Sequence, residues 1–139
     1  MKKLIAALAL FPSLATAEES PWTTFTKMPD GMVWEYKNGS LDVIKGENEP
    51  YWIVQWRTHY DGKPTYNFVK IAVSINNCQR QAGQLMMVDM GNNVQGKIDF
   101  VFEGGTLASN IAQAVCGAGK KVLDQMSKKQ SDDPPPVQT

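Results

Sequence analysis

Residues 51–75 read YWIVQWRTHY, then DGKP, then TYNFVKIAVSI. Two runs dense in β-forming residues flank a turn signal, and this stretch decides the fold. In the first run Trp52, Val54, Trp56 and Tyr60 fall on one side of an extended chain, with Gln55, Arg57 and His59 on the other. Asp61-Gly62-Lys63-Pro64 is a turn. In the second run Val69, Ile71, Val73 and Ile75 share a face, and Lys70, Ala72 and Ser74 lie opposite. The reading is a long antiparallel hairpin over residues 51–75 with one strongly apolar face.

Upstream, Met32–Lys37 and Ser40–Ile44 flank Asn38-Gly39, the strongest short hairpin signal because a type I′ turn needs φ > 0 at both central positions. In that register Tyr36 faces Leu41 and Trp34 faces Val43. Glu35 then faces Asp42, a like-charge pair that opposes the pairing. Downstream, Gln84–Met90 and Lys97–Glu103 form two more strands around Gly91-Asn92-Asn93. In the second of these, Ile98, Phe100 and Phe102 alternate with Lys97, Asp99 and Glu103, the pattern of a sheet buried on one face. Gly104-Gly105 ends the strand. Thr106 or Ser109 can cap a helix running to Cys116, in which Leu107, Ile111, Ala114 and Val115 make an apolar stripe. Gly117 and Gly119 can end or break it, and Lys120–Lys129 is a short amphipathic continuation carrying Val122, Leu123 and Met126. The expected fold is α+β: an antiparallel sheet of five or six strands with a C-terminal helix packed on one face.

The N-terminus reads as an export signal. Lys2 and Lys3 precede an apolar run from Leu4 to Leu14, and Ala15-Thr16-Ala17 is a small-residue cleavage site. The run is shorter than the roughly 20 residues of a membrane span, and Pro12 interrupts it. With residues 1–17 as the signal, residues 18–120 form one α+β domain, 121–130 a helical extension, and 131–139, with Pro134-Pro135-Pro136, a disordered tail. No cysteine stands at the cleavage site for lipid attachment. The expectation is a soluble protein of the periplasm or the cell exterior, with no membrane span.

Behind an export signal, two cysteines read as a disulfide. Cys78 and Cys116 are the only two. Bridging them would tie the helix to the sheet across a loop of about 38 residues, which stabilises by roughly 4 kcal/mol on loop-entropy grounds. A free buried pair and a metal site are the alternatives. His59 is the only histidine and no C-x-x-C occurs, so ligands for a metal are scarce.

The 14 basic and 14 acidic residues show neither the excess nor the clustering of a nucleic-acid binder. No repeat with a period of 20–50 residues is apparent. A general acid/base role for His59 is conceivable beside Arg57 and Asp61, but a strand histidine on a polar face is more often structural. There is no Gly-x-Ser-x-Gly, no phosphate-binding or dinucleotide fingerprint and no spaced carboxylate pair. The reading is non-catalytic and without a cofactor. Trp52 and Trp56 read as core. Tyr51, Arg57, His59 and Tyr66, on opposite or edge-facing positions, are the candidate contact surface, since Tyr and Arg are enriched at interaction hot spots. An exposed edge at Gln84–Met90 or in the first hairpin can pair with a second copy, so a two-fold homodimer is a further expectation.

The order of Tyr36…Ser40-Leu41, then Trp52-Ile53-Val54-Gln55-Trp56, then a strand ending near Cys78, then Gly105-Thr106-Leu107-Ala108-Ser109 and a helix ending Ala114-Val115-Cys116 resembles the surface-adhesin protein E family. The match covers roughly residues 22–120. Lys37-Asn38-Gly39 stands where the family usually has an aspartate before its Ser-Ile pair, and the chain lacks the lipid-attachment cysteine of the adhesin that names the family. The resemblance implies a small exported sheet-plus-helix protein with the two joined by a disulfide, acting as a non-catalytic binding module for host matrix or serum proteins. A periplasmic protein with another ligand is an alternative. So is a periplasmic lysozyme inhibitor, for which Asp61–Pro64 is the one candidate inhibitory loop.

Overall fold

The structure, a computed structural model, describes residues 20–132. Seven strands and two helices are found among them: β1 (Trp22–Lys27), β2 (Met32–Lys37), β3 (Asp42–Lys45), β4 (Pro50–Tyr60), β5 (Asn67–Ser74), α1 (Ile75–Arg80), β6 (Ala82–Val88), β7 (Val94–Val101) and α2 (Leu107–Asp132). The strands form one antiparallel sheet in the order β1-β2-β4-β5-β6-β7, with β3 also paired to β4. This is the expected α+β class, with α2 on one face. The export signal read over residues 1–17 lies outside the described residues.

The long hairpin forms as its alternation requires. Trp52 stands opposite Val73, Val54 opposite Ile71 and Trp56 opposite Val69. Its second strand starts at Asn67, two residues later than expected. The β6–β7 pairing also forms, with both strands starting earlier than the sequence suggested: Leu85 faces Ile98 and Gly83 faces Phe100. Asp89 organises the turn between them, its carboxylate accepting from the Gly91 and Asn93 N–H groups at 2.9 Å each. Those hydrogen bonds, Asn93's first, outweigh desolvation and hold the Asp89 carboxyl below its ordinary pKa.

The first hairpin is a correction. β2 and β3 do not pair with each other. Both lie antiparallel to β4, β2 along residues 56–60 and β3 along residues 50–53, so they sit end to end on one edge of it. Only Gly39 in the intervening turn has positive φ, at 76°, so the turn is not type I′. The Ser40 hydroxyl donates to Lys37 O at 2.8 Å and accepts from Gln55 N at 3.0 Å, which fastens the jog to β4. The charges account for the choice. A hairpin would have set Glu35 against Asp42, whereas here Glu35 stands opposite Arg57. β1, unforeseen in the sequence, takes the other side of β2.

Two more differences concern the helices. The chain leaves β5 directly into α1, capped by the Ser74 hydroxyl, which accepts from Asn77 N at 2.9 Å. The long helix starts as expected, with Thr106 Oγ1 accepting from Ser109 N at 3.1 Å. It does not end at Cys116 or break at the glycines but continues to Asp132. Ser131 and Asp132, read as tail, are therefore helical, and residues 133–139 lie outside the described residues. Cys78 of α1 is bonded to Cys116 of α2, with Cα atoms 5.4 Å apart. Because α1 extends straight from β5, the bridge ties helix to sheet.

The core lies between α2 and the sheet. Ile111, Ala112, Val115 and Cys116 from the helix meet Trp52, Trp56, Ile71, Val73, Leu85 and Phe100. Trp56, 1 % exposed, is ringed edge-on by Phe25, Tyr36 and Trp34 at centroid distances of 5.2, 5.6 and 6.2 Å. Beyond Lys120 the helix leaves the sheet, and Leu123 and Met126 are exposed. The edge expected at Gln84–Met90 is another correction. β6 lies inside the sheet between β5 and β7, and the outer strands are β1, β3 and β7. No described helix is long and apolar enough to cross a membrane.

Candidate binding surface

The face of the sheet turned away from α2 carries the odd-numbered residues of β4. Its N-terminal half holds a small apolar cluster of Ile53, Ala72 and Val88, against which Tyr51 and Met86 pack. Its other half holds a charged and aromatic cluster built on Arg57.

Strand pairing brings Glu35, Arg57 and Phe68 into one row across β2, β4 and β5. Arg57 Nε donates to Glu35 Oε1 at 2.5 Å, and both side chains are less than one-fifth exposed. The guanidinium lies over two rings, 4.5 Å from the Trp22 centroid and 4.1 Å from that of Tyr66. Such a sandwich combines cation–π attraction with planar stacking, for which guanidinium is better suited than ammonium. His59 packs its ring 4.7 Å from Tyr66, and its Nε2 lies 3.7 Å from Glu35 Oε1. Phe68, 49 % exposed, closes the cluster at 5.9 Å from Trp22 and 6.4 Å from Tyr66. At its border Lys27 and Asp61 form an exposed ion pair. The Lys27 hydrogen bond and charge lower the Asp61 pKa from its ordinary value.

Of the four residues singled out in the sequence, three come together: Arg57, His59 and Tyr66. Tyr51 does not. It points to the same side but lies six residues up the strand, about 20 Å at the usual rise, inside the apolar cluster opposite Ser74 and Ile44. Three members were missed. Phe68 was readable, because it shares parity with Lys70, which the sequence reading placed on the polar face. Glu35 and Trp22 had no local signal, since their position depends on β1 and β2 being stacked beside β4.

Chemically, the cluster is a preformed recognition patch. Arg57 is neutralised and held flat, Tyr66 and Phe68 present exposed ring surface, and His59 is engaged by Tyr66 and by the Tyr60 carbonyl at 3.2 Å from Nδ1. No nucleophile stands beside His59 among these residues. Two cavities adjoin α2. One of about 550 Å³ runs beside the disulfide, between Trp52, Phe102, Lys120 and Leu123. The other, about 220 Å³, is apolar and lies under α2 against Trp56, Ala114 and Ala118. Neither gathers more than one titratable side chain. No protein-family model, curated protein or solved structure matches the chain.

Proposed function

We propose that the chain is an exported, non-catalytic binding module that contacts a protein partner through the Arg57 cluster. The carrying observation is the guanidinium of Arg57 fixed between Trp22 and Tyr66 over Glu35, with Phe68 half exposed beside it. Aromatic and arginine side chains dominate interaction hot spots. Side chains already locked by packing lose little rotamer entropy on association. The N-terminal signal pattern and the disulfide support export. The resemblance to the surface-adhesin protein E family favours host matrix or serum proteins as the partner class, with a periplasmic ligand as the alternative.

The test is a biosensor panel of purified matrix and serum proteins probed with the wild-type chain and with Tyr66→Ala and Phe68→Ala. Both side chains are exposed, so the variants should keep the wild-type melting behaviour. Binding by the wild type, weakened at least about tenfold in the variants, is expected. Unchanged affinity in both variants would move the contact surface elsewhere. A lysozyme assay separates this reading from the inhibitor alternative. No inhibition is expected at micromolar protein, whereas inhibition lost on changing Lys63 would favour the alternative.

A further inference from the structure

We propose that β7 pairs antiparallel with β7 of a second copy, centred on Ile98, to form a two-fold dimer with one continuous sheet. Natural sheets blunt their edges with bulges, brevity or charge. β1 is interrupted by a bulge between Thr24 and Thr26, and β3 has four residues. β7 is longer, with eight residues; its own bulge, at Gln95, lies near its start and leaves Gly96–Val101 in regular pairing, and nothing among the described residues pairs with its outer side. Ile98 and Val101 on it are 42 % and 51 % exposed.

The backbone donors and acceptors can be assigned by alternation. Phe102 N–H is given to Gln81 O, on the β6 side. Val101 N–H goes to Ser109 Oγ and its carbonyl accepts from Gly104 N, so Val101 is already satisfied. Counting back, Phe100 and Ile98 point their backbone groups toward β6, while Asp99 and Lys97 turn theirs to the open side. In the proposed register Lys97 lies opposite Asp99 of the second copy, and Asp99 opposite its Lys97. The free N–H and C=O groups of these residues then meet in reciprocal hydrogen-bonded pairs, and each pair also sets opposite charges across the interface.

The charges select this register. Moving the centre by one residue would place Lys97 against Lys97 or Asp99 against Asp99, a like-charge pair on the two-fold axis. With the centre at Ile98, Gly96, which has open space where a side chain would be, lies opposite Phe100. Ile98 meets Ile98 as a non-hydrogen-bonded pair, the geometry with the closer Cα atoms, about 4.5 Å apart. The edge is thus self-complementary, as a two-fold interface must be. The proposal is independent of the Arg57 surface, to which none of these residues belongs.

The experiment is sedimentation of the full mature chain across a micromolar concentration series, with Lys97→Glu, Asp99→Lys and the double variant K97E/D99K. Both positions are at the exposed edge; Asp99 gives up only the Gln84 Nε2 hydrogen bond of 2.9 Å. The wild type should be a dimer. Each single reversal should weaken it by about tenfold or more, and the double reversal should restore it, because the opposite charges face one another again. In parallel, Ile98→Cys should yield a disulfide-linked dimer on a non-reducing gel and Val101→Cys should not. A wild type that stays monomeric throughout the series overturns the proposal. So does a dimer indifferent to both single reversals, or cross-linking through Val101→Cys as efficient as through Ile98→Cys.

Discussion

Glu35 shows how much of the open face rests on a single side chain. Its carboxylate takes the Arg57 Nε hydrogen bond, lies within 3.7 Å of His59 Nε2, and accepts weakly from Thr24 Oγ1 at 3.5 Å. The pair is only 13–18 % exposed, so each charge is there because the other is. Removing one partner strands the other in a poorly hydrated position. Glu35→Ala should therefore destabilise the fold by about 1–3 kcal/mol, read as a lowered urea midpoint with an unchanged slope. It should also loosen the Trp22–Arg57–Tyr66 stack, visible as a change in near-ultraviolet circular dichroism. A variant as stable as the wild type would mean that the ion pair is incidental to the cluster.

At the scale of elements, α2 explains its own glycines. Gly117 lies on the exposed side with nothing within 4 Å of where a Cβ would stand, whereas a Cβ on Gly119 would collide with the buried Trp52 indole. Gly119 thus permits the close approach of helix to sheet and does not terminate the helix. The two sites should respond oppositely to the same change. Gly117→Ala should stabilise by about 0.5–1 kcal/mol through helix propensity. Gly119→Ala should destabilise by about 1–3 kcal/mol, because the well-packed core must move to admit the methyl group. Thermal melts of the two variants check this, and equal shifts in the same direction would contradict the packing geometry. The glycines misled the sequence reading because composition records only their cost to a helix. The reason for that cost, Trp52 on a strand far away in the chain, is tertiary. The misread hairpin has a similar origin. Asn38-Gly39 is a sound local signal, but the eleven residues of β4 offer a longer and electrostatically better partner to both flanking segments. Where local and non-local pairing compete, the turn dipeptide decides less than the strand beside it.

For the whole molecule the disulfide is the strongest constraint between helix and sheet. It closes a sequence separation of 38 and fixes α2 near its middle, leaving the N-terminal half over the core and the exposed Leu123 and Met126 beyond it. Replacing both cysteines by alanine should lower stability by about 2–4 kcal/mol, measured as the difference in unfolding free energy between the double variant and the oxidised wild type. No measurable loss would show that packing of Ile111, Ala112 and Val115 alone holds the helix in place. What the sequence by itself determined is whatever depends on near neighbours. The alternation of β4, β5 and β7 set which side chains share a face, the Thr106 cap set where α2 starts, and shared parity placed Arg57 and His59 on the polar side. What only the tertiary structure decided is which strands lie beside which. That choice brought Glu35 and Trp22 to Arg57, left Tyr51 in another cluster, enclosed β6 and exposed the edge of β7. Parity along a strand is fixed by backbone geometry every two residues. Adjacency is fixed by competition among distant segments for the same hydrogen-bonding edge, and no local pattern records its outcome.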